Sequence, residues 1–148
     1  MSSSMPSRDD AIQAVEGEFM QMVSRFRRLI ARRAEQLSPG LLPGAYKVFT
    51  TILQSGPLTA SALVDQLMLD KSQLSRTITD LEKRGLIERT PDPNDRRSHL
   101  LSATEKGRAG HAAFHTTPET RTLRAKLDDW DVDDIHRLAT LLHALNVD

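Results

Sequence analysis

Two short apolar periodicities separated by a three-residue turn constrain this chain more than any other feature of its sequence. Thr59 has the chemistry of a helix N-cap, and Leu63, Val64 and Leu67 behind it mark a short helix. Met68-Leu69-Asp70 leads straight into a second stripe made of Leu74, Ile78 and Leu81, with Asp70 and Gln73 at the N-cap and N3 positions of a capping box. Burying that stripe leaves Ser72, Gln73, Ser75, Arg76, Thr79 and Lys83 on the flanks and outer face of the second helix. Gly85, directly after Lys83-Arg84, supplies the C-cap, and the basic pair suits the negative end of the helix dipole.

The elements around this pair extend it into a recognisable architecture. Leu86-Ile87-Glu88-Arg89-Thr90 and Arg96-Arg97-Ser98-His99-Leu100-Leu101 read as two β runs around the turn-dense Pro91-Asp92-Pro93-Asn94-Asp95, which predicts a hairpin with arginines near its tip. Upstream, Ile12, Val15, Phe19, Met22, Phe26 and Leu29 alternate spacings of three and four, predicting a long amphipathic helix that ends near Leu37. A stripe that long needs a cover, and a second copy of the chain is the natural one. A helix from Pro43 through Tyr46, Phe49, Ile52 and Leu53 closes at Gly56-Pro57. Thr104-Glu105-Lys106-Gly107 opens another, Thr116-Thr117-Pro118 interrupts it, and a last helix starts near Val132 with Ile135, Leu138, Leu142 and Leu145 on one face.

The predicted fold class is therefore mainly α with a small β-hairpin wing: a winged helix-turn-helix flanked by N- and C-terminal dimerisation helices. The expected division is 1–40 for an unordered start and the first helix, 41–103 for the winged lobe, and 104–148 for the C-terminal helices.

Composition narrows the function. The 148 residues carry no net charge, so bulk electrostatics cannot hold a nucleic acid and any contact needs locally placed charge. Between Lys71 and Arg97 seven basic residues face five acidic ones, whereas Thr117 to Asp148 has four basic against seven acidic. The absence of cysteine excludes disulfides, thiolate metal sites and thiol redox sensing. Neither a secretory signal nor an apolar membrane-spanning run is visible, which predicts a cytoplasmic protein with no membrane partner. There is no Gly-rich phosphate loop, no nucleophile elbow and no cofactor motif, so no enzyme and no cofactor are expected.

A helix-turn-helix followed by a hairpin has a direct use on double-stranded DNA, because the major groove admits one helix whose polar side chains meet base edges. Arg76 can pair with guanine through its planar fork, Gln73 with adenine, and Ser75 or Thr79 with bases or phosphates. Lys71, Ser72, Lys83 and Arg84 would be positioning contacts, and Arg96 and Arg97 would enter the minor groove from the hairpin. The alternative for such a unit is a protein-docking module without DNA binding. A docking face should carry exposed apolar residues, and this one carries Ser, Gln, Arg, Thr and Lys.

The run from Leu58 to Gly107 closely resembles the DNA-binding core of the MarR-family transcriptional regulators. The matching marks are Leu74-Ser75-Arg76, Leu81-Glu82-Lys83-Arg84-Gly85-Leu86-Ile87, Asp95-Arg96-Arg97, and Leu101-Ser102-Ala103-Thr104-Glu105-Lys106-Gly107. The resemblance implies a homodimer joined through both chain ends, a ligand-responsive repressor on a palindromic operator, and Arg97 as the wing residue in the minor groove. It also implies a small aromatic or phenolic effector between the dimerisation helices and the lobe. Met22, Phe26, Tyr46, Phe49 and His111 could line such a pocket, yet large apolar residues at helical spacing are core first. His111 and His115 have the i, i+4 spacing of a zinc pair, but no histidine precedes His99 to complete a site, so no metal is assigned.

Overall fold

The computed structural model describes residues 5–114 and 122–148. The chain divides into two compact units, Met1–His111 and Ala112–Asp148. In the first, helix α1 (Arg8–Leu37) is followed by α2 (Pro43–Ser55), α3 (Ala60–Leu67), α4 (Lys71–Lys83), strands β1 (Ile87–Asp92) and β2 (Asp95–Ala103), and most of α5 (Glu105–Phe114). Helices α6 (Thr122–Leu127) and α7 (Val132–Asn146) lie in the second. This is the mainly helical fold with a two-stranded antiparallel hairpin that the sequence predicts.

Local chemistry sets the boundaries. Helix α1 begins ahead of its apolar stripe, at Arg8, because the Ser7 hydroxyl accepts from the Asp10 amide (3.1 Å) while the Asp10 carboxylate accepts from the Ser7 amide (2.9 Å). Thr59 caps α3 by accepting from the Ala62 amide, and Asp70 caps α4 by accepting from the Gln73 amide at 3.4 Å. Only this half of the expected Asp70–Gln73 box forms among the described residues. At its other end α4 closes in a Schellman motif: the Leu86 amide donates to Leu81 and the Gly85 amide to Glu82, with Gly85 at φ 73°.

The core of the first unit sits where α2, α3, α4 and the hairpin meet. Phe49 and Ile52 from α2, Leu63 from α3, and Leu74, Ile78 and Leu81 from α4 close on Leu86, Ile87, Leu101 and Ala103. Ala34 adds the C-terminal part of α1, with Ile30 and Leu37 packed partly against the cluster. Leu58, just after α2, exchanges both backbone hydrogen bonds with Leu101 of β2 (3.1 and 2.8 Å), a bridge that closes the segment from α3 to β2 into a loop.

Much of the terminal apolar surface is uncovered in the single chain. Ile12, Val15, Phe19, Met22 and Phe26 on α1 are exposed, and α7 buries none of its residues. Helix α6 was not expected from the sequence, and Thr116-Thr117-Pro118 and His115 lie outside the described residues. No described helix is long and apolar enough to cross a membrane.

Candidate nucleic-acid interface

Ser72, Arg76, Thr79 and Lys83 recur at helical spacing along α4, on the side opposite Leu74, Ile78 and Leu81, and all four are exposed. Gln73 and Ser75 flank this ridge, and Lys71 opens the helix, also exposed. Ser75, Arg76, Thr79, Asp80 and Lys83 line one open groove of about 320 Å³. Its only acidic wall, Asp80, is neutralised by Arg84 at 3.0 Å. The Thr79 hydroxyl donates to the Ser75 carbonyl (3.0 Å), so towards solvent it offers a methyl group and an acceptor. Among the described residues the side chains of Arg76, Lys71 and Lys83 make no hydrogen bond or ion pair, leaving their charge available to a partner.

The wing carries a second basic element. The ladder runs from Ile87 opposite Ala103 to Pro91 opposite His99 and then jumps to Asp92 opposite Asp95. Arg96, Arg97 and Ser98 therefore have no partners across the ladder and bulge out of the second strand. Both arginines are exposed. The tip holds itself with its own carboxylates: Asp92 accepts from the Asn94 amide (2.9 Å) and Asp95 from the Arg97 amide (3.0 Å). Local Asx turns thus fix the backbone beneath the two guanidinium groups.

One grouping from the sequence does not survive in space. Arg84 is a sequence neighbour of Lys83 but turns away from the ridge. Its Nε donates to both Asp80 carboxylate oxygens (3.0 Å each), and its Nη1 donates to the Ser38 hydroxyl (2.8 Å) and the Pro39 carbonyl (2.7 Å). The side chain is about one-fifth exposed (22%) and occupied by protein, so it stands apart from the other positioning residues. Conversely, Arg89 on β1 pairs with Glu82 of α4 at 2.6 Å, which ties the wing to the helix. Nothing in the local spacing marks that pair, since the two residues are joined only by the turn at Gly85.

The residues considered for an effector pocket separate into two groups. Tyr46 and Phe49 are core residues, with the His111 ring 6.5 and 6.2 Å from theirs. Met22 and Phe26 are exposed on α1. Burial pushes the Tyr46 phenol pKa up, against the charge and hydrogen bond of Arg33, which act to lower it. His115 lies outside the described residues; among the described residues no three acidic or imidazole ligands come together.

Comparison with known proteins agrees with this geometry. The sequence model of the MarR family matches residues 41–99. A Thauera aromatica protein named as a transcriptional regulatory protein for the hcr operon is 35% identical over 68 residues, 46% of this chain and 41% of that protein. The multiple antibiotic resistance protein MarR of Salmonella typhimurium is 31% identical over 97 residues, 66% of this chain and 67% of that protein. A crystal structure of mutant MarR from E. coli complexed with operator DNA superposes with a TM-score of 0.59 at 24% identity, covering 95% of this chain and 99% of that one. The winged lobe, its flanking helices and these matches lead to one conclusion: the chain belongs to the MarR family of transcriptional regulators.

Proposed function

We propose that this protein is a sequence-specific double-stranded-DNA-binding repressor that acts as a homodimer on a palindromic operator. The observation that carries this reading is the outer ridge of α4, where Ser72, Arg76, Thr79 and Lys83 form an exposed polar and basic face with no apolar residue in it. Such a face suits the major groove. Arg76 meets guanine acceptors, the Thr79 methyl suits a thymine methyl, Gln73 and Ser75 contact bases beside them, and Lys71, Ser72 and Lys83 bind phosphates. The bulge at Arg96 and Arg97 supplies flexible cations for the adjacent minor groove. Arg84 has no part in this surface.

The exposed apolar stripe of α1 supports a homodimer, since a soluble monomer rarely leaves so continuous a patch in water. Two copies related by a two-fold axis present two recognition helices to half-sites about one DNA turn apart. A small aromatic or phenolic effector that changed their separation would release the operator, by an amount equal to its preference for the released form.

The test is selection of bound fragments from source DNA, followed by fluorescence anisotropy at two salt concentrations for the wild type, Arg76→Ala and Arg97→Ala. Enrichment of a palindromic site, with a salt slope of about 0.9 log unit per neutralised phosphate and weakening by both substitutions, is the expected result. If no sequence is enriched and both variants bind like the wild type, α4 is a protein-docking face and the proposal fails.

A further inference from the structure

Arg84 holds together the C-terminal ends of two helices that the chain brings into contact. Its backbone is the C-cap of α4, and the hydroxyl it binds belongs to Ser38, the C-cap of α1. Helix α1 has no basic residue in its own last turn, so the guanidinium of Arg84 supplies the cation that the negative end of α1 lacks. The turn it grips is held from the other side as well, because the Gly40 amide donates to the Glu35 carboxylate at 2.9 Å. Behind it, the Lys106 ammonium donates to the Arg84 carbonyl at 2.8 Å, pinning the backbone from which the side chain springs. One planar group therefore connects two fixed points, Asp80 on α4 and the Ser38-Pro39 turn on α1.

We infer that Arg84 is a positioning residue for operator reading: a strut that sets the angle of α4 against α1 and, in the dimer, the separation of the two recognition helices. The inference rests on the DNA-reading dimer proposed above. Its chemistry requires arginine, because binding Asp80 through Nε and Ser38 and Pro39 through Nη1 needs two nitrogens in a fixed fork. Lysine keeps the charge but carries its donors on a single nitrogen, so it lacks the fixed separation between Nε and Nη1 with which arginine meets the two anchors. The strut touches no DNA, and its loss should therefore change geometry without changing the number of phosphates neutralised.

The experiment compares wild type, Arg84→Lys, Arg84→Ala and Ser38→Ala on three duplexes: the selected operator, the same operator with one base pair inserted between half-sites, and an unrelated sequence. Arg84→Lys is expected to bind the operator about tenfold more weakly, the scale of a lost charge-assisted contact, and to discriminate less against the respaced site. Ser38→Ala is expected to follow in the same direction with a smaller change. Affinity for the unrelated duplex and the salt slope should match the wild type for all three variants. Wild-type spacing discrimination in Arg84→Lys overturns the inference. So does a salt slope in Arg84→Ala that is shallower by about 0.9, which would make Arg84 a phosphate contact. A wild type that selects no sequence, or that is monomeric at assay concentrations, refutes the DNA-reading dimer and the strut with it.

Discussion

Replacing Gly107 by alanine sets helix propensity against packing, and the structure fixes which wins. Gly107 is the third residue of α5, with its amide bonded to the Thr104 hydroxyl at 3.0 Å. Propensity alone favours alanine over glycine in a helix by up to about 1 kcal/mol. A Cβ built there, however, would lie 2.5 Å from the Leu86 carbonyl oxygen and 2.9 Å from the Phe49 ring. Neither neighbour can yield: the carbonyl accepts the Thr104 amide at 3.0 Å, and Phe49 is fully buried. Overpacking of this kind costs about 1–3 kcal/mol, and a backbone atom as the obstacle puts Gly107 at the upper end, leaving a net loss of about 2 kcal/mol. Gly17 in α1 is the control, since a Cβ there meets nothing within 4 Å, and Gly17→Ala should be stabilising by about 0.5–1 kcal/mol. Thermal unfolding at one fixed protein concentration should place Gly107→Ala about 4–8 °C below the wild type and Gly17→Ala about 1–4 °C above it. A Gly107→Ala protein as stable as the wild type would refute the close packing of α5 on the base of the wing.

Two further outcomes concern titration. Tyr46 is the single tyrosine of the chain, so phenolate absorbance reports it alone; it should titrate above 10.0, and Arg33→Met should move it higher still. Because its folded pKa is raised, the associated stability is complete below the ordinary value and is lost as pH rises through the folded one. Asp10 runs the other way. The side-chain and backbone hydrogen bonds from Ser7 lower its pKa below 3.8, so the α1 cap is intact above that value and frays as pH falls through the folded pKa. NMR titration should show this midpoint moving up in Ser7→Ala.

The parts of the fold that could be read from the sequence are those set by neighbours a few residues apart. Leu74, Ile78 and Leu81 announce the buried side of α4, Thr59 and Asp70 announce its surroundings, and Gly85 announces its end, because caps and helical stripes are local physics. The same locality explains the early start of α1: the Ser7–Asp10 box outranks the first apolar residue, Ile12, as a boundary signal. Distant pairings left no such trace. Leu58 against Leu101, Arg84 against Ser38 and Pro39, and the bulge that frees Arg96 and Arg97 depend on where the chain returns. Adjacency was misleading at Lys83-Arg84, where a step of about 100° around the helix sends one side chain to the ridge and the other to the α1 turn. Asp80, four residues before Arg84, was the available clue.

The bridge between Leu58 and Leu101 gives the reading head the geometry of a cassette. The chain enters and leaves it at one place, held by two hydrogen bonds of 3.1 and 2.8 Å, so everything that would touch DNA is strung on a single closed loop. Its attachment to the remainder of the first unit runs through inward side chains, Leu63, Leu74, Ile78, Leu81, Leu86 and Ile87, in one core with Phe49 and Ile52, and through polar ties such as Arg84 to the Ser38-Pro39 turn and Lys106 to the Arg84 carbonyl. Evolution can rewrite the outward residues while those inward ones stay, and a graft spliced between Leu58 and Leu101 would exchange the script that is read without rebuilding the reader.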